Sequence, residues 1–291
     1  MIRPQPVGPG VRGVEAFPAR TPTLPPATHT NSYALGGGEV LLVEPATPYE
    51  DERREWLAWA RGFASQGRSI AAIAVTHHHA DHVGGARFFA AELGLPVWGH
   101  AEAAPRLPGV PLARHLADGE VVRLGGPEPM ALRVLHTPGH APDHLCFLDE
   151  AQGALVCGDM VAGEGTILID PREGDMTEYL AQLERLAGLG ARVVLPAHGG
   201  PIDAPEALFR RYIAHRLGRE RLVLAALEAA SAAGAGGTSI EALLPVAYAD
   251  TAPLVWPLAR LSLEAHLIKL EREGRAVRRE DRWRRAAGKD A

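Results

Sequence analysis

Thr76-His77-His78-His79-Ala80-Asp81-His82-Val83-Gly84-Gly85 puts four imidazoles and one carboxylate into ten residues of a 291-residue chain. The run before it, residues 70–75, is short and apolar, as a buried strand would be. Where the backbone leaving that strand is extended, side chains alternate, so His77 and His79 point one way and His78 the other. Two imidazoles on one side can grip one cation. Asp81 and His82, after the chain turns, can reach a second. Imidazole with carboxylate is the ligand set of borderline-soft metals such as zinc, iron or manganese. Gly84-Gly85 lets backbone and solvent approach closely.

The motif has company downstream. Thr137-Pro138-Gly139-His140 follows a strand-like run at 130–135, Cys157-Gly158-Asp159 closes another at 154–157, and Pro196-Ala197-His198-Gly199-Gly200 closes a third at 192–195. A single histidine at a strand end is commonplace. Four such constellations, each beside a glycine, are the signature of a metal site.

Composition removes several classes of function. The chain is 46% apolar and 22% charged, ordinary for a soluble globular protein. No uncharged apolar run reaches the ~18 residues of a membrane span. The amino terminus, MIRPQPVGPG, has Pro and Gly where a signal peptide needs an apolar stretch. The expectation is a cytoplasmic protein with no membrane partner. Cys146 and Cys157 are the only cysteines, so no disulfide framework holds the fold, and both read as small buried hydrophobes.

Net charge is −5 and unevenly spread: residues 1–204 carry 15 Lys+Arg against 24 Asp+Glu, residues 205–291 carry 15 against 11. The cations are densest from Lys269 to Lys289. A charge split suggests two units with different partners, and a solvated charged face would give the same numbers.

The texture changes at the same place. Seven prolines in the first ~30 residues predict a wandering segment without regular structure. Strands are expected at 32–35, 39–44, 70–75, 96–98, 120–124, 130–135, 145–148, 154–157 and 192–195, with helices near 49–66, 86–93 and 176–189. After Pro205 the chain reads as helix: 206–233, a break at Ala235-Gly236-Gly237, a helix capped by Thr238 or Ser239, and another over 257–273 stopped by Gly274. Residues 276–283 resemble a small hairpin.

His77-x-His79-x-Asp81-His82, then His140, Asp159 and His198 in that order, resemble the metallo-β-lactamase superfamily of binuclear hydrolases over roughly residues 30–200. The resemblance implies an α/β fold, a four-layered αβ/βα sandwich with the site at its rim. It implies two divalent metal ions, zinc by ligand softness and by family, with manganese or iron as alternatives. By the same resemblance His77, His79 and His140 hold one metal, Asp81, His82 and His198 the other, and Asp159 bridges them. Asp81 and Asp159 then act on a metal-bridging hydroxide that serves as nucleophile. His144, four residues beyond His140, is a candidate donor behind the ligands or proton shuttle, with a structural histidine as the plain reading. Glu44 falls where the superfamily often has an aspartate behind the ligands, and its length departs from that pattern.

Gly163-Glu164-Gly165-Thr166, Tyr212-Ile213-Ala214-His215-Arg216 and His266-Leu267-x-x-Leu270-x-x-Glu273-Gly274 are similar to the lactamase-like-protein-2 family. Its members carry a C-terminal winged helix and include single-strand endoribonucleases and carrier thioesterases. The chain is thus expected to divide into a catalytic domain, 1–204, and a helical winged-helix-like domain, 205–291, which binds nucleic acid, covers the catalytic domain or forms a homodimer. Phosphodiester hydrolysis of single-stranded RNA is the leading expectation, drawing on the basic end. Hydrolysis of a small-molecule ester or thioester, by a glyoxalase II-like enzyme, carrier thioesterase or lactonase, is the alternative. A non-catalytic nucleic-acid binder with structural metals is a third, from a different class.

Overall fold

The pleat of the strands sets the layers. The computed structural model describes residues 5–7, 11–163, 165–233 and 237–286. One mixed sheet runs in sequential order: β1 (Gln5–Pro6), β2 (Val14–Arg20), β3 (His29–Leu35), β4 (Glu39–Val43), β5 (Ser69–Ala74), β6 (Val97–Gly99) and β7 (Leu112–His115). The second has the order β12-β11-β10-β9-β8, from β8 (Val121–Leu124), β9 (Met130–His136), β10 (Leu145–Asp149), β11 (Ala154–Gly158) and β12 (Val193–Pro196). Helices α1 (Glu50–Ser65), α2 (Ala80–Val83) and α3 (Ala86–Leu93) belong to the first half, and α4 (Met176–Ala187) precedes β12.

Along β4, Leu41 and Val43 enter the core between the sheets, while Val40 and Leu42 pack beneath Trp56, Phe63 and Phe89 of α1 and α3. Along β10, Leu145 and Phe147 face the other sheet, while Cys146 and Leu148 face Leu183 of α4. Period-two burial on both faces makes each sheet an inner layer. The result is helix, sheet, sheet, helix, the sandwich that the resemblance implied. Strands β4 and β5 are parallel, as are β11 and β12. Their carboxyl ends lead into Glu44, His77, Asp159 and His198.

The proline-rich start is a correction. Residues 14–20 are not irregular but form β2, paired with β3 along its whole length. Pro18 is tolerated because its partner Asn31 sends its N–H to the Ala197 carbonyl (2.8 Å) instead of across the ladder. Pro18 therefore sits in a non-hydrogen-bonded pair where no donor is needed, and β1 reaches only residues 15 and 16 on the far side.

Beyond residue 204, α5 (Pro205–Ala233), α6 (Ile240–Ala247), α7 (Trp256–Arg272) and the hairpin β13 (Ala276–Arg279) with β14 (Arg282–Arg285) make the helical winged-helix unit. Ser239 caps α6 by accepting from the Ala242 N–H at 3.3 Å. Packing does not divide where the sequence boundary falls. Leu208, Phe209 and Ile213 of α5 lie in the core of the second sheet with α4, whereas Val223, Leu224 and Leu227 join α6, α7 and Trp283. One helix serves both units.

Candidate metal centre

Five histidines converge, and each is aimed by an oxygen behind it. His77 Nδ1 faces Thr76 Oγ1 at 2.9 Å, and that hydroxyl donates its own proton to Glu44 Oε1 at 2.5 Å. His77 must then carry its proton on Nδ1, leaving the Nε2 lone pair free. His79 Nε2 donates to Glu173 Oε1 at 2.7 Å, and His140 Nδ1 donates to the Leu168 carbonyl at 2.8 Å. The three free nitrogens meet: His77 Nε2 to His79 Nδ1 is 2.9 Å, His140 Nε2 to His79 Nδ1 is 3.0 Å, and His140 Nε2 to His77 Nε2 is 3.3 Å. Three lone pairs pointed at one another repel unless something positive sits among them.

A second group adjoins the first. His82 Nδ1 donates to Glu44 Oε1 at 3.0 Å and His198 Nδ1 to the His29 carbonyl at 2.9 Å, so both Nε2 atoms face inward. Asp81 Oδ2 is 3.8 Å from His82 Nε2 and 3.6 Å from His198 Nε2. Asp159 lies between the groups: Oδ2 is 3.6 Å from both His82 Nε2 and His140 Nε2, and Oδ1 is 3.3 Å from His198 Nε2. His82 Nε2 and Asp159 Oδ1 are buried without a hydrogen-bond partner among the described residues. Such orphaned atoms are costly unless a bound group satisfies them. His77, His79 and His140 could hold one ion, and Asp81, His82 and His198 another.

The electrostatics of the two groups have opposite sign. Burial drives His77 well below the ordinary imidazole value, reinforced by His82, His79 and His140. His140 is pushed down to about 4, by burial first and His79 second. Burial also opposes charge on His82, but Glu44, Asp159 and Asp81 outweigh it and raise the group well above its ordinary value. His198 is raised against its burial chiefly by Asp159. Burial disfavours the Asp159 anion, yet His82 and His198 hold its carboxyl well below the usual range. One side offers neutral lone pairs and the other demands positive charge. A pair of cations meets both conditions.

Local backbone places these groups. Gly158 takes φ +47°, and a Cβ there would come within 2.6 Å of His144 Nε2. Only glycine permits that turn from β11 into Asp159. His144 is fully buried; its Nε2 accepts the Asp159 N–H at 3.0 Å and its Nδ1 faces Thr137 Oγ1 at 2.8 Å. It holds the Asp159 backbone with both ring nitrogens engaged. Of the roles expected of it, donor behind the ligands, proton shuttle or structural histidine, these contacts describe a buried histidine standing behind Asp159. Asn31, unmarked in the sequence, ties the His198 loop down through its Nδ2 to the Pro196 and Gly199 carbonyls at 3.0 and 2.8 Å.

Glu44 does stand behind the ligands, serving Thr76 and His82 from a fully buried position at φ +63°. A left-handed non-glycine residue costs on the order of 1 kcal/mol, which the three hydrogen bonds to its carboxylate offset. Glu44→Gln would turn an NH2 against a donor. It is expected to lower unfolding free energy by about 1–3 kcal/mol in a urea titration, and unchanged stability would refute this placement.

Two carboxylates that the sequence did not mark, Glu173 and Asp143, complete the frame. Glu173 holds His79, and His78 holds Glu173 (2.8 Å) and Asp143 (2.7 Å) with its two nitrogens. Burial opposes charge on His78, but hydrogen bonds to Asp143 and Glu173 raise it to about 9. His78 points away from the centre, as expected, yet braces it through Glu173. No periodicity could reveal a contact 94 residues apart.

The cleft at the centre is lined by Pro22, Thr23, Leu24 and Pro25 from one segment and by Ile167, Leu168, Asp170 and Glu173 from another. No Lys or Arg is among its described lining residues. Much of the basic C-terminal end is paired within the chain: Lys269 with Glu220 and Glu273, Arg272 with Asp175, Arg275 with Glu220, and Arg285 with Glu228. Lys289 and Glu164 lie outside the described residues. No helix among the described residues is long and apolar enough to cross a membrane.

Comparison with known proteins agrees with this geometry. Residues 25–198 match the metallo-beta-lactamase superfamily, and residues 239–283 match the beta-lactamase associated winged helix domain. The beta-lactamase-like protein 2 homolog of Drosophila melanogaster is 31% identical over 259 residues, covering 84% of this chain and 83% of the relative. An atrochrysone carboxyl ACP thioesterase of Aspergillus fumigatus is 32% identical over 205 residues, 68% of this chain and 60% of its own length. Among solved structures, a metallo-beta-lactamase family protein of Thermus thermophilus superposes with TM-score 0.75 at 28% identity, over 94% of this chain and 99% of that one. A protein solved in a di-iron-bound form gives TM-score 0.51 at 30% identity, over 65% and 96%.

Proposed function

The chain belongs to the metallo-beta-lactamase superfamily, with its associated winged helix domain, and on that footing we propose that this hydrolase cleaves thioesters of apolar acyl groups with two divalent cations. His77, His79 and His140 would hold one cation and Asp81, His82 and His198 the other, with Asp159 placed between the two groups. When bound, the cations supply Lewis acidity and lower the pKa of an attacking water toward neutrality. Asp81, which lines the cleft, would orient that water. Glu44, Glu173 and the Leu168 and His29 carbonyls keep each imidazole in the tautomer that faces inward.

The observation that carries the substrate class is the cleft lining. Its described residues offer no Lys or Arg to meet a phosphate, and the hydroxyls of Thr23 and Thr166 are poor proton donors for a leaving alkoxide. A thiolate, whose conjugate acid has a pKa near ~8.5, departs without a proton donor. Pro22, Leu24, Pro25 and Ile167 offer an apolar bed for an acyl chain. The name of the fungal relative supports the same reading. The RNA expectation leaned on the basic end, where Lys269, Arg272, Arg275 and Arg285 are ion-paired within the chain. A cytoplasmic setting fits two buried free thiols, Cys146 and Cys157.

The test uses zinc-loaded protein with His198→Ala purified in parallel. Acyl-N-acetylcysteamine thioesters are followed by thiol release, and end-labelled single-stranded RNA by gel. Wild type is expected to turn over the thioester, His198→Ala to lose at least about a hundredfold, and RNA to stay intact. RNA cleavage by wild type alone overturns the thioester reading. Tight nucleic-acid binding with no turnover of either overturns the enzyme itself. Elemental analysis of the protein as purified, before zinc loading, tests the metal: zinc is expected, and iron alone would replace it.

A further inference from the structure

The motif Tyr212-Ile213-Ala214-His215-Arg216 has no place in the chemistry above, although its side chains reach the metal centre's wall. Tyr212 OH accepts the Ala162 N–H at 3.1 Å and returns its proton to the Ala162 carbonyl at 3.3 Å. Arg216, one helical turn on, is 4% exposed, donates Nη2–H to the Ile167 carbonyl, and lies 5.5 Å from the centre of the Tyr179 ring. Tyr179 OH donates in turn to the Met160 carbonyl at 2.8 Å.

These contacts fall on a strap, residues 160–169, whose described residues have no regular structure of their own. The strap leaves Asp159, forms a wall of the cleft and supplies the Leu168 carbonyl that accepts from His140 Nδ1. Ile167 and Leu168 are adjacent, so two consecutive peptide units are held, the first through the Ile167 carbonyl by Arg216 and the second through the Leu168 carbonyl by His140. Without hydrogen bonds of a helix or sheet, each of these peptide units can rotate unless its carbonyl is engaged, and turning the first swings the second. Burying a guanidinium is expensive, and an apolar side chain would fill the space at lower cost. What the guanidinium adds is direction.

We propose that Arg216 is a positioning residue for the metal centre: by gripping the Ile167 carbonyl it fixes the peptide whose next carbonyl aims His140. The inference rests on the ligand role proposed for His140. It also gives the C-terminal unit a part in catalysis that needs no nucleic acid. Glu220, one turn beyond Arg216, accepts from Lys269 and Arg275 at 2.6 Å each, which ties the same helix to the winged-helix unit through contacts that do not involve the strap.

The test reads cation binding directly. Full-length Arg216→Met, Arg216→Gln, Arg216→Lys and Glu220→Gln are titrated with cobalt(II) against a chromogenic chelator, with visible absorption and thermal melts recorded. Wild type is expected to bind two cobalt ions. Arg216→Met and Arg216→Gln weaken one of them on the order of 10–100-fold and change its d–d bands, and Arg216→Lys, which keeps a donor, recovers most of the loss. Glu220→Gln lowers the melting temperature without moving affinity or spectrum. Should the Met variant not fold, the Gln variant is read in its place. Unchanged cobalt affinity and spectrum in the folded Arg216 variants would overturn the positioning role, as would an equal affinity loss in Glu220→Gln. Failure of wild type to bind cobalt would instead overturn the metal centre itself.

Discussion

His79→Ala is expected to empty the three-imidazole group and remove hydrolysis, with kcat/KM falling on the order of a thousandfold. His79 Nδ1 is within 3.0 Å of both other ligand nitrogens of its group, so its loss leaves two imidazoles where three converged. The fold should survive. Glu173, which loses one partner, keeps His78 at 2.8 Å, so its anion is not stranded. Hydrogen bonds from His78 and His79 hold that carboxyl well below the ordinary range, and one of the two remains. Metal analysis with a thermal melt checks this. A folded variant with one cation per chain and full activity would overturn the two-cation mechanism.

Ending the chain at residue 204 is expected to abolish folding rather than trim a binding module. Leu208, Phe209 and Ile213 are at most 8% exposed and pack with Tyr179 and Leu183 in the core of the second sheet. Burying side chains of this kind contributes roughly 1.5–3 kcal/mol each, so the three together contribute about 5–9 kcal/mol. A whole domain is stable by only ~5–15 kcal/mol. Loss of the Arg216 and Tyr212 contacts to the strap adds to the deficit. Residues 1–204 expressed alone should be insoluble, or should lack a cooperative melt in circular dichroism. A soluble fragment with a sharp transition would show that the catalytic sandwich folds without α5.

Both expectations depend on contacts at very different sequence distances, and this explains what could be read early. The strand ends were legible because short-range signals mark them. Residues 70–75 and 154–157 are apolar runs of strand length, each closed by a turn residue and a ligand type. The alternation of His77 and His79 about His78 follows from the backbone alone, and His78 does point away from the centre. The proline-rich opening misled for an equally local reason. Proline forbids a donated hydrogen bond, but only the pairing of β2 with β3 reveals that Pro18 sits where none is required.

Which chemical groups this protein offers a cation, and at which strand ends they stand, could be read along the chain, because ligand type and strand period are properties of a few consecutive residues. The change from sandwich to helical texture near residue 205 was visible there too. Packing was needed to learn which oxygen aims each imidazole: Glu173 behind His79, Glu44 behind Thr76 and His82, the Leu168 carbonyl behind His140. Packing also assigned α5 to both units and paired much of the basic end at home. A hydrogen bond between residues tens of positions apart leaves no periodicity in the chain. It exists only once two sheets have packed and brought their strand ends to a common rim.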